Sequence, residues 1–169
     1  MNRWLRLLKH RRLDEGDARK LVDAAALKRI EDRVAASEAR HTGEIRVCIE
    51  AGLPLSYLRR EATARERAVA MFGKLRVWDT ENNNNGVLIY LLLADHAIEI
   101  VADRGLSRHA DAAHWQRVVA AMKGAFQSGQ FEAGLNQAVD AVDAVLTQYF
   151  SLAAGEANPN ELPNEPFTR

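Results

Sequence analysis

From residue 23 onward the apolar positions follow two rhythms. Between Asp23 and about Arg40, Ala26, Leu27, Ile30, Val34 and Ala35 recur at spacings of three and four, which predicts a helix with one buried face. Gly43, in "HTGE", ends it. In "EIRVCIEA" the period drops to two. Ile45, Val47 and Ile49 fall on one side and Glu44, Arg46, Cys48 and Glu50 on the other, a half-buried strand. "GLPLS" turns the chain, with Ser56 as a candidate N-cap, and residues 57 to about 75 predict a second helix with a charged outer face.

The stretch "WDTENNNNGVLIYLLLADHAIEIVADRGL", residues 78–106, carries the strongest contrast in the chain. Asn82 to Asn85 hold no apolar residue, and their side chains bond their own backbone in turns, so they predict a loop. "GVLIYLLLA" is apolar on both faces, the mark of a doubly buried strand. A tight turn at Asp95 and His96 and a return through Ile98 and Ile100 make 87–103 a β-hairpin. Beyond Gly105, Ser107 is a candidate cap. Trp115, Val118, Val119, Met122 and Phe126 form one helical stripe; Phe131, Leu135, Ala138, Val142, Val145, Leu146 and Tyr149 form another.

The order is therefore α-β-α-β-β-α-α. Its βαβ unit requires parallel strands with a right-handed crossover, and the hairpin adds an antiparallel strand. The expected fold is α/β: an α/β/α sandwich with a mixed sheet and helices packed on it. Three segments follow: a basic arm at 1–19, a domain at 20–150, and a tail at 151–169. The tail holds three of the four prolines and has no period, so it is expected to be disordered.

Composition narrows the function. Lys plus Arg and Asp plus Glu both number 23, so a nucleic-acid surface is not expected. A single cysteine, Cys48, excludes an intrachain disulfide, and on the polar side of its strand it reads as an inert small residue. The apolar run Val87–Ala94 is far short of the ~20 residues of a membrane helix. "MNRWLRLLKHRR" lacks an apolar signal core, so the expected location is the cytoplasm. Residues 1–12 interleave Trp4, Leu5, Leu7 and Leu8 with cations. They read either as an amphipathic helix making weak contact with an anionic membrane surface or as a frayed basic arm, and their shortness favours the arm.

The topology brings Glu44, Asp79, Glu81 and Asp103 toward one edge of the sheet, with His41 close by and Asn83 and Asn84 adding amide oxygens. An oxygen-only cluster suits Ca²⁺ or Mg²⁺. The competing reading is a set of solvated loop ends, and the spacing fits no EF-hand. His109 and His114, five apart, do not share a helix face. Trp78 and Trp115 read as core anchors. Phosphate-cradling loops and nucleophile elbows are absent from the sequence.

Three segments carry a resemblance: "NNGVLIYLLLADHAIEIVADRGL", "AFQSGQFEAGLNQAVDAV" and "TGEIRV". In their order and spacing over roughly 20–150 the chain resembles the TPM domain. That family is named for a thylakoid lumen protein, a photosystem II repair protein and a modulator of acetylcholine receptors. The chain is similar to the short cytoplasmic bacterial form. Asp103-Arg104 stands where relatives have Gly-Tyr, so no role of that pair carries over. The resemblance implies an α/β/α sandwich and, for some members, divalent-metal binding and weak acid phosphatase activity. Two functions are expected from it. One is a non-catalytic binding module, tuned by a divalent cation, with a LemA-type or another TPM protein as partner. The alternative is a metal-dependent phosphomonoester hydrolase, in which Arg104 or Arg108 would have to clamp the phosphoryl group.

Overall fold

A computed structural model describes residues 3–80 and 84–169. Four strands form one mixed sheet: β1 Glu44–Glu50, β2 Gly86–Leu92, β3 Ala97–Ala102 and β4 Phe167–Thr168, in the order β3-β2-β1-β4. β1 runs parallel to β2, with Ile45 opposite Val87 and Ile49 opposite Leu91, as the βαβ unit demands. β3 returns antiparallel, with Ile89 opposite Ile100. The helices among the described residues are α1 Arg3–Arg12, α2 Glu15–Leu21, α3 Ala24–Glu38, α4 Leu55–Arg59, α5 Ala64–Lys74, α6 Ala112–Gln127 and α7 Phe131–Tyr149.

Two cores lie on opposite faces of the sheet. On one, Ile45, Val47, Ile49, Val87, Ile89 and Leu91 pack with Ile30 and Val34 of α3, Phe126 of α6, and Leu135, Val142 and Leu146 of α7. On the other, Cys48, Leu88, Tyr90 and Leu92 pack with Leu58 of α4 and Ala68 and Met71 of α5. β2 is buried at all seven positions, as its doubly apolar pattern requires. The architecture is the α/β/α sandwich expected.

The details depart from expectation in four places. The helix expected over 57–75 is two, because Glu61 adopts φ +55 and Thr63 starts a new helix. The Thr63 hydroxyl accepts from the Glu66 N–H while the Glu66 carboxylate accepts from the Thr63 N–H, a capping box. Ser56 and Ser107 are not the caps: Pro54 precedes α4, and Asp111 caps α6 by accepting from the His114 N–H at 2.7 Å. Trp78 is half exposed, and its neighbour Val77 takes the core position. β1 is buried along its whole length rather than on one face, because each of its polar residues has a partner. Glu50 takes a bidentate pair from Arg67 at 2.6 and 2.7 Å and the Tyr90 hydroxyl at 2.8 Å.

Among the described residues, both terminal segments pack on the domain. Residues 151–169, expected as a disordered tail, return across the sheet and end as β4, parallel to β1. Ala51 N–H donates to Arg169 O at 2.7 Å and Arg169 N–H to Ile49 O at 2.9 Å. Leu162 is buried, and Arg46 donates to the carbonyls of Pro163 and Glu165. The arm, expected to fray, is α1 laid over the other end of the strands. Its Arg6 and His10 both bind Asp95, at 2.8 and 2.9 Å, and His10 Nδ1 accepts from Leu53 N–H. These contacts use backbone groups and charges, so apolar periodicity does not reveal them.

Candidate functional site

The end of the sheet where β1 and β2 begin is rich in oxygen. Glu44, Gly86 and Asp103 stand side by side, since Glu44 pairs with Gly86 and Asp103 N–H donates to Gly86 O at 2.9 Å. Gly86 keeps the middle open for a backbone: a Cβ there would lie 1.9 Å from Val77 O. Val77 therefore covers the strand between the two acids.

Each expected ligand has a definite place. Glu44 is buried: its Oε2 accepts from Leu162 N–H at 3.0 Å, and its Oε1 is buried without a partner. Asp103 is buried too, accepting from Arg104 N–H through Oδ1 while Oδ2 has no partner. Asp79 is exposed on its turn, 3.8 Å from Arg76, and is not drawn to the other two. Glu81 and Asn83 lie outside the described residues. Asn84 adopts φ +49 and accepts from the Arg104 guanidinium. Thr80, in the same connection, buries a hydroxyl that also lacks a partner. Among the described residues no three His, Cys, Asp or Glu side chains surround one point that could hold a metal.

A residue that sequence periodicity passed over is Glu38, the last of α3. It is buried, and its Oε1 accepts from Ile45 N–H at 2.8 Å. The Asn164 side chain lies beside this carboxyl group. Burial, helped by the charge of Glu44 and opposed by the Ile45 N–H and the Asn164 side chain, pushes the Glu38 carboxyl up to about 8. Burial raises Glu44 as well, against the Leu162 N–H bond. A buried acid at the end of a helix, six residues before a strand Glu, was the available sequence signal.

His41 belongs to a Ser, His and Asp set that is not catalytic in form. Ser37 Oγ lies 2.9 Å from His41 Nε2 and donates to Asp143 at 2.8 Å, while His41 Nδ1 faces Gly43 O at 3.1 Å. The carboxylate thus engages the hydroxyl rather than the outer imidazole nitrogen that an activating triad needs. Ser37 and His41 are fully buried, out of reach of a substrate. The set ties α3 to α7. Burial depresses His41 below its ordinary value. Cys48 is buried, and burial with the Glu50 charge raises its thiol, so it is inert.

The second candidate lies along β3, an edge of the sheet. A groove of about 630 Å³ follows this strand, walled by Arg65 of α5 on one side and Trp115, Val119, Ala120 and Lys123 of α6 on the other. Because Asp103 N–H bonds β2, the alternation of an antiparallel pair turns the backbone groups of Ile98, Ile100 and Ala102 outward. Arg65 confirms this by donating to Ile100 O. Burial raises Glu99, and Arg65, 3.8 Å away, opposes it.

These features define an α/β/α domain with polar clusters sunk into both ends of a mixed sheet and one edge strand open in a groove. The chain belongs to the TPM domain family, whose model matches residues 16–145. It is similar to the BA42 protein of the psychrophilic bacterium Bizionia argentinensis, known by NMR. The two are 27% identical, with 86% of this chain and 94% of that one covered and a TM-score of 0.71. The N-terminal domain of a P. gingivalis protein shares the fold at 22% identity, with a TM-score of 0.63 over 77% of this chain and 79% of its own. No curated protein matches the chain. No helix among the described residues is long and apolar enough to cross a membrane.

Proposed function

We propose that this TPM domain is a non-catalytic binding module that takes an extended protein segment along β3. The observation that carries the reading is the groove itself: an edge strand with outward backbone groups, set between two helices. An added strand would bond the Ile98 and Ile100 amides, displace Arg65 from the Ile100 carbonyl, and place alternate apolar side chains against Trp115 and Val119. An acidic residue on that segment would meet Arg65 and Lys123. The walls on both sides suit one strand and work against pairing with the equally walled β3 of a second copy.

A divalent cation would tune the domain from the other end of the sheet. Asp103 Oδ2 and Thr80 Oγ1, buried without partners, are hard oxygen ligands of the kind Ca²⁺ or Mg²⁺ takes.

The partners to test are a LemA-type protein and a second TPM protein from the same genome, titrated into ¹⁵N-labelled domain. The reading expects shifts at the amides of Ile98 and Ile100 and weaker binding for Arg65→Glu and Lys123→Glu. Shifts confined to other surfaces, or no binding to either protein, overturn it. Ca²⁺ and Mg²⁺ titrations should raise the melting temperature of the wild type and not of Asp103→Asn. Mg²⁺-dependent turnover of a phosphomonoester, lost in Asp103→Asn, would replace the binding reading with the hydrolase.

A further inference from the structure

Helix α1 is held to the domain through Arg6 and His10. Arg6 binds Asp95 and donates to Ala62 O at 3.0 Å, and His10 is buried between Asp95 and the Leu53 N–H. The packing is close: a Cβ on Gly52 would lie 2.7 Å from His10 O. At 100° per residue, Arg6 and His10 share one side of the helix, and Trp4, Leu5, Leu8, Arg11 and Arg12 share the other. That outer side is largely exposed to solvent. Trp4 is 73% exposed, Leu5 60% and Leu8 51%, while Arg11 and Arg12 are exposed one turn further on and Lys9 flanks them. No acidic residue occurs before Asp14. A chain of zero net charge therefore carries a local patch that is apolar at its centre and cationic at its rim.

We propose that this outer face of α1 docks the domain on the surface of an anionic lipid bilayer. The chemistry fits on both counts. Trp and Leu enter the headgroup boundary, the arginines and Lys9 meet lipid phosphate, and their long stems let the charges stay at the interface as the apolar residues sink. A free helix of ten residues would have to order itself on the membrane. Here Arg6 and His10 hold it folded and facing outward beforehand, which removes that cost. Charge complementarity selects lipid over an apolar protein groove, since five of the ten residues of α1 are Arg or Lys and one more is His. No residue of α1 lines the β3 groove, although Asp95, which anchors the helix, is also one of the groove's lining residues.

The test is co-sedimentation of the full chain with vesicles of phosphatidylcholine alone and with about one-third phosphatidylglycerol. The expected result is binding at least several-fold greater on the anionic vesicles and lost at about 0.5 M salt. Trp4→Ser with Leu8→Ser, and separately Arg11→Glu with Arg12→Glu, should each reduce the bound fraction several-fold with an unchanged circular dichroism spectrum. Arg6→Ala, which frees the helix, should also weaken binding. No binding to anionic vesicles, or binding that both double variants retain, overturns the proposal. So does gel filtration showing a dimer that Trp4→Ser with Leu8→Ser dissolves, because a second copy would then cover the patch.

Discussion

Replacing Glu38 by Gln should make stability less dependent on pH. The folded protein holds the Glu38 proton up to about pH 8, whereas the unfolded chain releases it near 4.5. Below 4.5 both states are protonated and the neutral side chain costs nothing. As pH rises from there, the unfolded state gains the free energy of ionisation first, so folding loses stability, at most about 1.4 kcal/mol per pH unit. Above about 8 the loss is complete, because the buried group is charged. The interval converts to a ceiling of about 5 kcal/mol, and water entry and relaxation around Glu38 reduce it to about 2–4. Gln keeps the shape and leaves a carbonyl oxygen for Ile45 N–H. Urea unfolding at a series of pH values should therefore show the two proteins within about 1 kcal/mol at pH 5 and the variant ahead by about 2–4 kcal/mol at pH 8.5. Because the charge of Glu44 helps raise Glu38, Glu44→Gln should shrink that gap in a double-mutant cycle. A wild-type minus variant difference that stays constant from pH 5 to 8.5 would refute the reasoning.

Other perturbations separate the parts of the fold. Leu91→Ala, in the doubly buried strand, should cost about 2–5 kcal/mol in urea unfolding. Arg67→Ala should cost about 3–5 kcal/mol by leaving Glu50 charged and buried, and Glu50→Gln in the same chain should recover part of it. Removing residues 158–169 should lower the melting temperature by at least about 5 °C, since β1 loses its neighbour and Glu44 its Leu162 partner. Gly86→Ala should leave little folded protein, judged by circular dichroism, because the Cβ meets a backbone carbonyl rather than a side chain that could turn aside.

What the sequence makes legible is what hydrophobic burial writes into it. The stripe of α3, the alternation of β1 and the run of β2 each recur in the structure, and so does the hairpin, because each has a face that must leave water. The split between α4 and α5 was written in Thr63-x-x-Glu66, a polar signal that periodicity overlooks. The two terminal segments were not legible. α1 is held by Arg6 and His10, and residues 151–169 by backbone bonds to Ile49, Ala51 and Arg40; no apolar spacing announces either. The candidate site suffered from the same gap. Glu44, Gly86 and Asp103 are neighbours as the topology requires, but Val77 and Leu162 reach them from segments whose positions the pattern leaves open.

The two-residue pairing of β4 with β1 makes the C-terminal segment a removable guard. It covers the flank of a strand buried on both faces and composed largely of β-formers, the kind of template that recruits other chains when bare. Proteolytic nicking between Phe150 and Phe167 would uncover that flank without disturbing the α3, α6 and α7 core, and the strand from a second molecule could take its place. A preparation that slowly forms strand-exchanged oligomers would then report the loss of a dozen residues, not a defect in the core.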